Sequence, residues 1–211
     1  MMELGTILQT LAARRPIFHS EADFQFALAW EIQRRLPEAN IRLEVPVRGP
    51  GGTRYVDLWV WSGGATLAIE LKYPTRKLSL QIAEERFDLV NQDAQDLGRY
   101  DFIKDIERLE AIAQADPSIA GIALLLTNDP AFWTPARDRE TADEAFRIDE
   151  GRQLHGVLDW RETDGSSTRH GRQRPLELRG RYGCVWNEYS QAGPDPYARF
   201  RWLAMTLRGG G

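Results

Sequence analysis

Disulfide chemistry is the first thing this sequence excludes, because its 211 residues hold one cysteine, Cys184. A lone thiol builds no cross-linked framework and suits a reducing compartment, so a cytoplasmic setting is expected. Histidine is almost as scarce. His19, His155 and His170 have no metal-ligand spacing with one another or with Cys184, which removes the zinc-ribbon and zinc-finger classes. There is no nucleophile elbow, no phosphate-binding loop and no dinucleotide fingerprint. No charged segment leads into an apolar one near residue 1, and no apolar run approaches the ~20 residues of a membrane helix, so a soluble protein with no membrane partner is expected. Nor is positive charge in excess: 27 Lys and Arg stand against 31 Asp and Glu, a net charge of −4. That argues against a broadly basic DNA-wrapping surface while leaving room for a local basic groove.

What is present begins with a hydrophobic share of 42%, enough at this length to close one core. The stretch that organises the rest is Arg54 to Lys72. Alternation puts Val56, Leu58 and Val60 on one strand face and Tyr55, Asp57, Trp59 and Trp61 on the other. After Ser62-Gly63-Gly64, a hairpin signal, Leu67, Ile69 and Leu71 share one face, and Ala68, Glu70 and Lys72 share the opposite one. In register, Asp57 comes close to Glu70 and Lys72.

Two carboxylates and an ammonium on rigid backbone suit a hard divalent cation. Mg²⁺ prefers oxygen ligands and binds through one or two carboxylates together with substrate phosphate. Asp57 and Glu70 supply the carboxylates, and the carbonyl of Leu71 offers a third oxygen. Lys72 is placed to orient or help deprotonate an attacking water and to offset transition-state charge. The competing reading is a wet strand face with a Glu–Lys pair worth well under ~1 kcal/mol.

A strand bearing Asp, a turn, and a strand ending Glu-x-Lys resembles the PD-(D/E)XK nuclease superfamily, with its restriction-endonuclease-like fold. The residues that match are Asp57, Glu70 and Lys72, over a resemblance spanning about 17 to 128; Val56 stands where the family name has Pro. Members often add a Glu on the helix before the first strand, and Glu21 fits that place. The resemblance implies an α/β core: a mixed central sheet, made of a three-strand antiparallel meander and a parallel crossover strand, flanked by helices. It also implies a Mg²⁺-dependent nuclease, with Mn²⁺ as a substitute ion. Asp57, Glu70, the Leu71 carbonyl and Glu21 would be its metal ligands, and Lys72 would position the water. Glu21 also has a plain reading, as a carboxylate complementing a helix dipole.

The chain in order gives an amphipathic helix over 1–16, ended by Pro16, and a second helix capped by Ser20 that runs to about Leu36. Ile41–Val47 alternates as a strand, with Glu44 on its wet side or near the site, and Arg48 to Gly52 makes its turn. A long helical region is expected from Leu80 to Ala115, with Phe87, Val90, Ala94 and Leu97 as one stripe and a kink near Gly98. Gly121–Thr127 is apolar throughout and reads as a strand buried on both faces, reached by a parallel crossover. The core is thus placed at 1–128, and 129–211 is read as a β-rich C-terminal extension packed on the same domain. Within it, 137–150 reads as a short surface helix and 161–168 as a mobile loop.

Candidate nucleic-acid contacts are Arg76 and Lys77 just past the proposed metal, Gln95, Lys104 and Arg108 on the following helix, and Arg172 and Arg174. The last two lie in a basic run, Arg169 to Arg181, followed by the aromatics Tyr182, Trp186 and Tyr189. The helix residues have a bland alternative in intrahelical pairs such as Asp105 with Arg108, and the basic run has one in arginines on the wet face of a strand pair. Function is therefore expected to be phosphodiester hydrolysis, with DNA as the first substrate and a homodimer compatible with cutting both strands. The alternatives are a catalytically silent nucleic-acid-binding or assembly protein that keeps the fold, and a plain scaffold.

Overall fold

The computed structural model describes residues 3–49, 52–135, 141–161 and 171–207. The Pro50-Gly51 part of the first turn, the 162–168 part of the expected loop, Arg169, His170 and the tail after Leu207 lie outside them.

Helices α1 (Leu4–Arg14) and α2 (Glu21–Arg35) form as the periodicity predicts, with Ile7, Leu8 and Leu11 buried on the first and Phe24, Leu28 and Ile32 on the second. Ser20 Oγ accepts the Asp23 amide at 3.2 Å and caps α2. Asp23 does more than a capping residue: it takes Arg15 in a two-point ion pair at 2.7 and 2.8 Å, fixing how the chain enters α2. Glu31, buried, gathers Arg14, Arg34 and Arg35 and clasps the two helices.

Strands β1 (Asn40–Gly49), β2 (Gly52–Ser62) and β3 (Ala65–Lys72) form the meander. Gly63 and Gly64 both carry positive φ (59° and 83°), as the tight two-residue hairpin turn demands. From β3 the chain crosses through α3 (Gln95–Ala115) to β6 (Ile119–Thr127), which pairs parallel with β3. The all-apolar β6 is central and buried, as expected.

The expected helix from Leu80 is corrected. Leu78–Ile82 and Glu85–Leu89 are strands β4 and β5 of a small antiparallel hairpin, and helix begins only at Gln95. Leu78, Leu80 and Ile82 alternate, as do Phe87 and Leu89, so the true period is two. Val90, assigned to a helical stripe, is 67% exposed. Gly98 lies inside α3, whose Cα there faces the Phe132 ring. Within 137–150 the described part holds only a single 3₁₀ turn, Glu144–Phe146.

Beyond residue 128, β7 (Gln153–Leu158) and β8 (Leu176–Gly183) form a separate pair, while β9 (Asn187–Gln191) and β10 (Arg199–Leu207) join the main sheet. Its order is β1-β2-β3-β6-β10-β9, with β10 antiparallel to β6. The segment read as an extension therefore supplies two strands of the central sheet. The molecule is mixed α/β with three layers. One core, against α1, α2 and β4–β5, takes Leu58, Val60, Ile69 and Leu71; the other, against α3 and β7–β8, takes Ala68, Ala123 and Leu125.

Candidate active site

The site lies where β2 and β3 part. Their pairing runs from Ser62–Ala65 to Leu58–Ile69 and stops. One residue further, the β2 pattern changes: Leu58 and Val60 pack on the α2 side, whereas Val56 joins the α3-side core. This corrects the expectation that Val56 shares their face. On β1 the same switch occurs, with Leu43 on one side and Val47 on the other, around Glu44, whose φ is 52°. Asp57 is the residue at which alternation breaks, and its carboxylate turns into the fork, where Oδ2 accepts the Leu71 amide at 2.6 Å. That amide has lost its strand partner, so Asp57 satisfies it.

Glu70 and Lys72 lie on the α3 face of β3, as the alternation predicts. Glu70 is 2% exposed; its Oε2 pairs with Arg108, and its Oε1 has no hydrogen-bond partner. The Lys72 ammonium lies 2.7 Å from Asp105 and donates to the Leu71 carbonyl at 3.0 Å. Asp105 also receives Arg108 at 2.9 Å, so the expected intrahelical pair exists but faces the site. From α2, Glu21 accepts the Tyr73 amide at 2.8 Å, just past Lys72. Tyr73 is itself anchored, its hydroxyl donating to Phe18 O and accepting from Phe18 N.

Electrostatics tie these groups together. Burial pushes the Glu21 carboxyl above its ordinary value despite Lys72 and the Tyr73 amide. Burial likewise raises Asp57, against the Leu71 hydrogen bond and Lys72, with Asp105 and Glu44 adding to the rise. Glu70 is raised to about 9 by burial and then by Asp105, which together outweigh Arg108. Burial would lower Lys72, but Asp105, Glu21 and Asp57 more than reverse it and hold the ammonium protonated. Lys72 is therefore a cation at neutral pH. It can orient a water and offset negative charge, but it is poorly suited to remove a proton.

Four expected site residues, Glu21, Asp57, Glu70 and Lys72, are thus brought together from α2, β2 and β3. Comparison with protein-family models, curated proteins and solved structures finds no match to the chain. The likeness to the PD-(D/E)XK nucleases accordingly rests on these residues alone.

Whether they suit a hard divalent cation can be judged from the donors. Every candidate ligand atom is oxygen, and the buried, unpartnered Glu70 Oε1 is the kind of atom a cation satisfies. Against this, no three His, Cys, Asp or Glu side chains among the described residues are gathered as ready ligands. Lys72 and Arg108 supply positive charge among the carboxylates. The donor chemistry fits; adopting a coordination geometry requires side chains to move.

The other candidates separate. Arg108 is at the site. Arg76 lies over the Tyr197 ring and near Asp93 and Asp129, and Gln95 donates to Asp129 at 2.9 Å. Lys77 is exposed and Lys104 half-buried. Arg172 makes a two-point pair with Asp101 at 2.8 and 2.6 Å, and Arg174 another with Glu107, so both fasten the C-terminal segment to α3.

Three residues were missed or undervalued. Asp105 entered only as a helix partner of Arg108. Gln25 was not singled out, yet its amide donates to Glu44 at 2.8 Å and to the Asp57 carbonyl at 2.7 Å. A buried Gln one turn after Glu21 on an amphipathic helix was the available signal. Nothing local marked Glu44 as the strand break.

No helix among the described residues is long and apolar enough to cross a membrane.

Proposed function

We propose that this protein is a Mg²⁺-dependent nuclease that hydrolyses phosphodiester bonds, with DNA as the substrate. The observation that carries the reading is the convergence at the β2–β3 fork of three carboxylates raised by burial and one ammonium held protonated. Asp57, Glu70 and the Leu71 carbonyl would hold the cation, with Glu21 assisting. The ion would supply Lewis-acid polarisation of a phosphoryl oxygen and a more acidic water.

The chain's own groups do the rest. Lys72, fixed by Asp105, offers a positive charge to the attacking water and to the pentavalent phosphoryl oxygens. Glu21, with one oxygen on the Tyr73 amide, keeps the other for a water. Asp57 fixes the position of Leu71 and with it the carbonyl beside Lys72.

The second reading, a non-hydrolytic nucleic-acid-binding or assembly protein on the same fold, is favoured by one observation, the Arg108–Glu70 pair occupying a carboxylate that the reaction needs.

Incubating the purified chain with plasmid, single-stranded DNA and RNA separates the two. The conditions are Mg²⁺, Mn²⁺ or EDTA, beside Asp57→Ala and Lys72→Ala. Cleavage should require the metal and vanish in both variants. Cleavage that survives both substitutions removes the assigned site, and binding without metal-dependent cleavage favours the second reading.

A further inference from the structure

We propose that Arg108 is a built-in counter-ion that competes with a divalent cation for the Glu70 carboxylate, and that cation binding frees its guanidinium to hold the substrate phosphate. This rests on the nuclease reading of the site.

Three observations carry it. First, Glu70 is 2% exposed, with Oε2 on Arg108 and Oε1 on nothing. A buried carboxylate cannot shed charge to solvent, so whatever cation approaches Oε1 weakens the hold on Oε2. Second, acids outnumber bases: Glu21, Glu44, Asp57, Glu70 and Asp105 share one electrostatic neighbourhood with Lys72 and Arg108. That imbalance favours an added cation. Third, Arg108 can leave Glu70 without leaving the site. Asp105 also holds it, at 2.9 Å, its Nε is unpartnered, and 26% of its side chain is exposed. Asp105 meanwhile keeps Lys72 in place at 2.7 Å, so the two cations share one pivot and only one of them has to swing. A planar guanidinium released beside a metal-bound phosphate is well matched to it.

Loss of Arg108 should therefore improve metal binding while impairing cleavage.

The test titrates the full chain with Mn²⁺ alone, reading free ion by electron paramagnetic resonance. Arg108→Gln should bind Mn²⁺ roughly tenfold more tightly than wild type, a coupling of ordinary size between competing ligands. Arg108→Lys should fall between, and Arg108→Gln should cut DNA more slowly at saturating Mn²⁺. Unchanged or weaker Mn²⁺ binding in Arg108→Gln overturns the inference and leaves the nuclease reading intact. Wild-type protein that binds no Mn²⁺ at millimolar concentration overturns both. Should the variant fail to fold, the ¹⁵N resonance of Arg108 Nε in wild-type protein decides. It should shift as Mg²⁺ saturates the site, and a signal that stays fixed while Mg²⁺ binds overturns the proposal.

Discussion

The Asp57 carboxylate closes the gap left where β2 and β3 separate, accepting the Leu71 amide at 2.6 Å. One side chain therefore has both a structural duty, met by any oxygen acceptor, and a charge-dependent one. Asp57→Asn retains an acceptor and should leave stability within about 0.5 kcal/mol, while cleavage falls by roughly a hundredfold or more. Asp57→Ala orphans the amide and should cost about 1–2 kcal/mol in addition. Parallel urea melts and cleavage assays separate the two duties. An Asn variant that cuts normally would show that the charge is not used.

Glu70 predicts a pH dependence. Its folded pKa, about 9, lies above its ordinary 4.5, so between those values the folded state binds a proton that the unfolded state has released. The stability it contributes is complete below 4.5 and is lost as pH rises toward 9. The groups facing it are Asp57 and Lys72 on the sheet and Asp105 and Arg108 on α3. Glu70→Gln, which can still accept from Arg108, should flatten this slope and melt at a higher temperature than wild type at pH 8–9, measured in EDTA.

Tyr73 bonds both the amide and the carbonyl of Phe18, at 3.2 and 3.0 Å, in a fully buried setting. Tyr73→Phe leaves both unpaired and should cost roughly 2 kcal/mol. The same anchor holds the start of α2 against the end of β3, so a loss of cleavage larger than the loss of folded protein is expected. Denaturation followed by assay at matched folded fraction checks this.

Arg172 and Arg174 were candidates for phosphate contact, but each is committed to a carboxylate on α3. Replacing either with Ala should lower stability by about 0.5–1 kcal/mol. Affinity for a DNA oligonucleotide, followed by fluorescence anisotropy across salt concentrations, should keep its slope. A slope that falls by about one unit would return the arginine to the nucleic-acid interface.

Legibility followed physical range. The Ser20 cap, the α2 stripe, the Gly63–Gly64 turn and the buried β6 are local patterns, and each was readable as such. Glu70 and Lys72 were readable too, because strict alternation along β3 decides their face. The β4–β5 hairpin was misread because Phe87, Val90, Ala94 and Leu97 happen to mimic helical spacing, and its turn uses Ala83 at φ 51° with no glycine to announce it. The Val56 face was misread because the break in β2 is set across the ladder by Glu44, a residue type that rarely takes positive φ. Asp105 was legible only as a helix neighbour, since its contact with Lys72 depends on how α3 crosses the sheet. The place of β10 between β6 and β9 could not be read from any local window, since it joins segments some 75 residues apart in sequence.

That last pairing has a consequence for synthesis. Leu124, Leu125 and Leu126 sit on β6, and the edge of that strand turned away from β3 is covered by residues 201–207. A ribosome that has not yet delivered those residues carries a nascent polypeptide with an uncovered, leucine-rich ribbon, the kind of surface that chaperones capture and that self-associates when they are depleted.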